Sequence, residues 1–488
     1  MYSIIRNNLT NNFKSYKSLY SLRSLSNGAK TEHFLNKLKS ISGESQVSTT
    51  LTVLEQHGKD EGFYPSIPPD IVVFPQNTQQ VSEVHKLCYE SGVPIVPFGT
   101  GTGLEGGVNA INGGVCIDLI NMNKVIEVNR EDFDCTVESG LDWRSLNEYL
   151  RDTGLYFPID PGASASLGGM ASTGASGTNA VAFGTMKQNV LNLEVVLPNG
   201  QVIHTSGRNC RSRKSSAGYD LTSLFVGSEG TLGTITRLCL KLSAVPNMVV
   251  LGVCSFPDDR SAIDSVIETL QWSIPVARVE YLDSTSIDAC RSYSKVDLPH
   301  SPTLFIEFNG STNEELNTRA EAVREIALSN GGSNFEYSSN PEERKRIWKA
   351  RHELYYACKA LKPNSTALIT DVCVPISRLT EMILRTKQLI ESEGVVGPMF
   401  GHVGDGNFHT ILVFDKDSAE ELAKVKGVAH SMGEIAIELC GTCTGEHGIG
   451  RGKVKLLAEQ YDSSAIQLMK TLKSAFDPKN LMNPQKLF

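Results

Sequence analysis

Two glycine-framed runs, 401-GHVGDGNFH-409 and 444-TGEHGIGRGK-453, hold the side chains best suited to chemistry in this sequence. His402 and His409 offer two neutral nitrogen donors and Glu446 an oxygen donor, and the glycines around them let the three converge on one ion. Taken singly, a histidine is more often a satisfied core residue than a ligand; a pair of such segments is harder to assign to packing. This donor set suits Zn²⁺ or Mn²⁺ and leaves positions open for a substrate. His447 stands next to a ligand and is spare. A divalent ion lowers the pKa of a bound hydroxyl, as it does that of bound water, and an adjacent imidazole can then take the proton. Oxidation of an alcohol needs this combination. A metallohydrolase using the same residues and a bound water is the reading from another class, and it predicts activity in colourless protein.

A further candidate lies in 341-PEERKRIWKARHELYYA-357, which opens as a helix with Asn340 as cap, Pro341 at the first position and Glu343 at the third. Trp348, Arg351 and Tyr355 are spaced i, i+3 and i+7, on one helical face. An arginine on so charged a helix is ordinarily a surface cation. Its planar fork also matches a carboxylate through two parallel hydrogen bonds, which makes Arg351, with Trp348 beside it, a candidate for substrate binding.

The elements that must position these groups are punctuated by glycine. Gly101-Thr102-Gly103-Leu104-Glu105-Gly106 matches the dinucleotide fingerprint G-x-G-x-x-G, which requires a strand before it and a helix after it. Val93 to Phe98 suits the strand, but Val115 to Leu119 reads as a second strand and no helix can start between them. The expectation is strand, loop, strand, with backbone N–H groups forming an anion-binding concavity; the bland alternative is a glycine-rich hairpin. A second block, 158-PIDPGASASLGGMASTGASGTNAVAFGT-185, and then 217-AGYDLTSLFVGSEGTLGTITRLCLKL-242 supply more small residues. Gly168, Gly169, Ser172, Thr173, Gly174, Ser176 and Gly177 let backbone and hydroxyls approach a large flat ligand.

Around these blocks, residues 45–245 read as an α+β half. Asp70 to Phe74 is expected as a strand, Thr78 to Ser91 as a helix, and Leu193 to His204 as a hairpin turning on Asn199-Gly200. From Pro246 the rhythm becomes strand (Val249 to Phe256), helix (Arg260 to Trp272), strand (Val276 to Leu282), strand (Thr303 to Phe308), helix (Asn313 to Asn330) and strand (Asn334 to Tyr337). That order is the ferredoxin-like β-α-β-β-α-β unit of a separate domain.

The first 28 residues are basic, Ser-rich and without an acidic residue, and Leu9, Phe13, Tyr16 and Tyr20 would share a helical face, as in a mitochondrial presequence. The whole chain carries a formal charge of −8, and its loss of Arg6, Lys14, Lys17 and Arg23 would make it more acidic still, which argues against nucleic-acid binding. No run approaches the roughly 18 apolar residues of a membrane span, so at most peripheral membrane association is expected. The 11 cysteines show no paired framework, and Cys440-Gly-Thr-Cys443 lacks both a second pair for zinc and a thioredoxin context.

With these motifs in order, the sequence from about residue 45 to Phe488 resembles the mitochondrial FAD-linked D-lactate dehydrogenases, flavoproteins of the vanillyl-alcohol oxidase type. The resemblance runs through FGTGTGLEGGV, DPGASASLGGMASTGASGTNAV, VGSEGTLG, WKARHELYYA, TDVCVPISRL, GHVGDGNFH, GTCTGEHGIG and FDPKNLMNP. It implies an α+β fold in which an FAD-binding domain (45–245) of that type precedes a ferredoxin-like substrate and metal-binding cap (246–474) and a C-terminal segment (475–488) returning to the FAD site. FAD would lie on Pro97, Gly99, Thr100, Gly101, Thr102, Gly103 and Leu104, on Pro161, Gly162 and the small residues at 168–177, and on Gly227, Glu229, Gly230, Gly233 and Ile235, with Asn483 reaching back. Residues 99–107 contain no histidine, so the resemblance implies non-covalent FAD.

It further implies that His402, His409 and Glu446 hold the metal, that His447 is the base and that Arg351 clamps a substrate carboxylate. The implied reaction takes D-lactate, or another small D-2-hydroxy acid, to pyruvate or its analogue, with electrons passing to cytochrome c or another respiratory acceptor. No C-x-x-C-H haem attachment is present, so that acceptor must be external. Relatives acting on D-2-hydroxyglutarate carry a lysine where Ile369 precedes Thr370-Asp371 here, so a monocarboxylate fits better than 2-hydroxyglutarate; glycolate and branched D-hydroxy acids stay open. A non-catalytic flavin-binding module gives no reason for the histidine cluster.

Overall fold

The computed structural model describes residues 28–488; the expected presequence lies outside the described residues except for Gly28. Strands β1 (Val47–Ser48), β2 (Ile71–Val73), β3 (Ile95–Phe98) and β4 (Val115–Asp118) form a sheet ordered β1-β2-β4-β3. Helix Thr78–Ser91 links β2 to β3. It is opened by the Asn77 side chain, which accepts from the Gln80 N–H, and closed by Gly92 in the left-handed region at φ 67°. Its buried Val81, Val84, Leu87 and Cys88 pack on the sheet.

Strands β3 and β4 are parallel, with Ile95 opposite Val115. The chain between them is therefore not a hairpin. A parallel connection ordinarily returns through a helix; here residues 99–114 make the return as loop, leaving their backbone groups free of helical pairing.

Next come β5 (Val125–Asn129), β6 (Asp134–Glu138), β7 (Leu155–Tyr156), β8 (Val190–Val196), β9 (Val202–His204), β10 (Thr234–Lys241) and β11 (Ser243–Ala244). Five of them make an antiparallel sheet ordered β5-β6-β10-β8-β9, and β7 pairs with β11 as a ribbon. The β8–β9 turn closes where Gly200 N–H donates to Leu197 O at 2.8 Å, as the Asn-Gly pair predicts. The second glycine-rich block contains a short helix, Leu167–Thr173, that its composition conceals; Ser166 caps it by accepting from the Gly169 N–H.

The largest sheet uses β12 (Met248–Ser255), β13 (Arg278–Leu282), β14 (Thr303–Gly310), β15 (Ser333–Ser338), β16 (Ser365–Ile369), β17 (Val372–Cys373), β18 (Met399–Gly401) and β19 (Asn407–Asp415). Its order is β15-β12-β14-β13-β18-β19-β16, with β17 on β19. The first four strands take the expected ferredoxin-like order, but an unanticipated helix, Ser284–Ser294, stands between β13 and β14; β18, β19 and β16 extend the sheet.

Alternation along the strands divides its faces. Val279, Tyr281, Leu304, Ile306, Phe308, Phe408 and Leu412 join the helices Asp259–Gln271, Asn313–Ser329, Leu379–Glu393 and Ala419–Glu438 in one core. Leu282, Phe305, Phe400, Ile411 and Val413 face helices Ser284–Ser294, Pro341–His352 and Leu354–Lys359. Each such buried side chain contributes ~1.5–3 kcal/mol of transfer free energy. The second face also presents the polar residues described next.

Candidate active site

His402 follows β18, and His409 lies in β19 opposite Phe400. Their Nε2 atoms point to one carboxylate oxygen: His402 Nε2 is 3.3 Å and His409 Nε2 3.1 Å from Glu446 Oε1. The other ring nitrogens are held, His402 Nδ1–H donating to Glu280 at 2.5 Å and His409 Nδ1–H to the Thr370 carbonyl at 3.1 Å. This arrangement turns both Nε2 atoms towards Glu446 and fixes both ring orientations. All three candidate ligand atoms lie within 4.8 Å of one another. Glu446 Oε2 is buried without a hydrogen-bond partner.

Burial would lower the His402 pKa, yet Glu280 and Glu446 outweigh it and hold the imidazole well above its ordinary range. Glu280, itself fully buried, is pulled down to about 2 against the effect of burial by Arg351 and His402. The pocket therefore calls for positive charge between two carboxylates, which in the protein alone a proton on His402 supplies.

His447 stacks on His409 with ring centroids 5.0 Å apart and an interplanar angle of 9°. Burial pushes it down to about 4, so it is neutral at neutral pH, and its Nδ1 is buried without a partner. Asp371 sets its backbone. One oxygen, Oδ2, accepts the N–H groups of Gly445, Glu446 and His447 at 2.8, 2.9 and 2.9 Å and the Thr444 hydroxyl at 2.7 Å, while Oδ1 accepts from Asn407 Nδ2 at 2.7 Å. Burial opposes its ionisation, but His447, Lys453, His409 and these amides hold it well below the usual carboxylate range.

Arg351 is buried, not a surface cation. Nε–H donates to Glu280 at 2.7 Å, and the guanidinium lies 4.6 Å from the centroid of the Phe400 ring. The helix bearing it ends at His352 and a second runs Leu354–Lys359; Tyr355, on the second, packs against the same core cluster as Trp348. Trp348 is buried too. Its single donor, Nε1–H, goes to Glu307 at 2.8 Å, Arg278 covers its ring, and it packs on Phe305. Its indole N–H is therefore already engaged within the protein. Glu280 and the bonding of Asp371 to the 444–447 backbone were not anticipated; a carboxylate between apolar residues in the strand 278-RVEYL-282 was the available signal for Glu280.

The expected cofactor loops adjoin one another. Among the described residues, the backbone N–H groups of residues 100–104 have no protein acceptor. Thr100 Oγ1 accepts the Ser166 N–H at 3.3 Å, and a Cβ on Gly99 would lie 2.1 Å from Ser166 Oγ, so the two glycine-rich blocks touch there. A run of unpaired amides beside such a close approach fits a diphosphate. Pro97 packs on Gly230, whereas Gly162 and Gly227 face open space. Gly168, Gly177 and Gly233 are instead needed by neighbouring protein: an added Cβ would meet Ser139, the Asp160 carbonyl and the Val196 carbonyl. Ile235 is core, opposite Val195.

Asn483 does return, with Nδ2–H donating to the carbonyls of Gly107 at 3.1 Å and Glu229 at 2.9 Å. Glu229, expected to line the cofactor, turns its carboxylate to the Ile449 and Gly450 amides.

Comparison with known proteins agrees with this architecture. Residues 69–206 match the family model of an FAD binding domain, and residues 245–487 match that of FAD linked oxidases, C-terminal domain. The chain is 51% identical to the probable D-lactate dehydrogenase, mitochondrial, of Danio rerio over 94% of this chain and 92% of the relative. It is 44% identical to the D-lactate dehydrogenase [cytochrome], mitochondrial, of Arabidopsis thaliana over 93% and 80% respectively. Among solved structures, p-cresol methylhydroxylase with substrate bound superposes with a TM-score of 0.77 at 17% identity, covering 94% of this chain and 97% of the other, which shows the shared fold. The chain thus belongs to the FAD-linked oxidase family, in the group that holds the mitochondrial D-lactate dehydrogenases.

Proposed function

We propose that this protein is a mitochondrial, FAD- and metal-dependent D-lactate dehydrogenase that produces pyruvate and passes electrons to cytochrome c or another respiratory acceptor. The observation that carries the reading is the convergence of His402, His409 and Glu446 beside a neutral His447, on the sheet face that also holds Arg351. Its family relatives include D-lactate dehydrogenases named mitochondrial.

The unpaired amides of residues 100–104 fit the FAD diphosphate, and the donor set, with the orphaned Glu446 Oε2, fits a divalent Zn²⁺ or Mn²⁺ ion. When bound, the flavin supplies a hydride acceptor and the ion a Lewis acid for the substrate hydroxyl. The chain's own residues do the rest. Arg351, braced at Nε by Glu280, turns its remaining nitrogens to the substrate carboxylate. His447 Nδ1, which has no other partner, takes the hydroxyl proton as the carbon gives up hydride. Asp371 keeps that ring in register through the amides of residues 445–447.

Ile369 pairs with Ile411, so it points to the same sheet face as His409. An apolar side chain there cannot hold a second carboxylate, which favours D-lactate over D-2-hydroxyglutarate. Steady-state turnover on D-lactate, L-lactate, glycolate and D-2-hydroxyglutarate tests the assignment: D-lactate should give the highest kcat/KM, and preference for the dicarboxylate would overturn it.

A further inference from the structure

Glu229 ties together segments that lie far apart in the sequence. It is a non-glycine residue in the left-handed region, at φ 51°. Its backbone N–H donates to the Ser172 carbonyl at 2.8 Å, and its carbonyl accepts from Asn483, so its main chain belongs to the loops expected to line FAD. The side chain points elsewhere. Oε1 accepts the Ile449 N–H at 2.8 Å and Oε2 the Gly450 N–H at 2.7 Å, so both oxygens grip the chain just beyond His447. The loop comes close: a Cβ on Gly448 would lie 2.9 Å from the carboxylate. Nearby, the Glu105 carbonyl accepts the Arg451 N–H at 2.9 Å and its carboxylate meets Lys453 Nζ at 3.1 Å.

We propose that Glu229 is a positioning residue for proton transfer, through which the FAD-lining loops fix the place of His447. The inference rests on the function proposed above. Two anionic oxygens, each aligned on one amide, hold the loop by charge-assisted hydrogen bonds. A displacement of the base by about 1 Å costs roughly 100-fold in rate, so loosening this grip reaches the chemistry without touching substrate.

The grip also depends on ionisation, since a protonated carboxyl would set a donor against one of the amides. Burial pushes Glu229 up to about 7; Glu105 raises it, Lys453 lowers it, and Lys486, Arg451 and Asp60 share the cluster. Flavin reduction should therefore weaken as pH falls through about 7.

The test is anaerobic stopped-flow reduction of the FAD-loaded enzyme by D-lactate across the neutral pH range, in wild type, Glu229→Gln, His447→Ala and the double variant. Glu229→Gln should retain FAD, lose roughly 10- to 100-fold in reduction rate, lack the limb near neutrality, and add no further loss in the His447→Ala background. Persistence of the limb in Glu229→Gln, multiplying losses in the double variant, or a wild-type rate would overturn the proposal. Should Glu229→Gln fail to hold FAD, Glu229→Asp keeps the charge but is one methylene too short for both amides; it should slow reduction and shift the limb, and unchanged kinetics would be equally fatal. If D-lactate does not reduce the wild type, it is the function that has failed, and the same comparison is made with the hydroxy acid that does.

Discussion

His447 and Asp371 carry the most exposed claims at the scale of single residues. His447→Ala removes the only buried imidazole nitrogen without a hydrogen-bond partner among the described residues, so it should keep FAD and lose ~10²- to 10⁴-fold in flavin reduction by D-lactate. Asp371→Asn is nearly isosteric, yet an amide NH₂ in place of either oxygen would face a donor, because Oδ1 and Oδ2 both accept. Leaving buried amides unpaired costs ~1–3 kcal/mol each, so this variant should lower the melting temperature by several degrees and slow reduction together. Wild-type Tm with wild-type rate would refute the role given to Asp371. His402, His409, Glu446 and His447 were legible in the sequence because glycines isolate them and type and spacing carry the chemistry. Glu280 was not: it looks like one more alternating strand residue, and only the three-dimensional meeting of β13 with β18 sets it against His402 and Arg351. Arg351 was legible as chemistry but not as burial, since its helix is dense in exposed charge at Lys345, Arg346 and Lys349.

At the scale of elements, the fold rests on a loop that does a helix's work. The return from β3 to β4 stays unwound and so keeps the amides of residues 100–104 available, and its placement depends on contact with the start of helix Leu167–Thr173. Gly99→Ala would drive a Cβ into Ser166 Oγ, so it should reduce FAD retention, read as the flavin-to-protein absorbance ratio, while leaving the large sheet intact by circular dichroism. Full FAD occupancy would remove this contact from the cradle. The glycine pattern gave the loop and excluded a Rossmann helix, but could not give the parallel sense of β3 and β4, which depends on pairing distant in the chain. The ferredoxin-like unit was readable because its strands and helices have clean periodicities. Its extension by β18 and β19 was not, since Gly401, His402 and Gly406 interrupt the apolar rhythm just where the strands carry the site.

At the scale of the whole molecule, the two halves are joined through charge. Glu229 and Glu105 on one side hold the 446–453 loop on the other, and the cluster of His402, Glu280 and Glu446 calls for a cation at the same place. Chelation of the divalent ion should leave the protein yellow, because the amides expected to hold FAD are remote in sequence from the ligand set. It should abolish turnover, and Zn²⁺ or Mn²⁺ should restore it; undiminished turnover in protein shown to be metal-free would remove the ion from the account. Among the described residues no helix is long and apolar enough to cross a membrane. The measurement that bears most directly on the central claim is the visible spectrum of the FAD-loaded protein, mixed without oxygen with D-lactate and, separately, with L-lactate. The account predicts rapid bleaching of the flavin band by D-lactate alone; a band unchanged by D-lactate in metal-replete protein would contradict it.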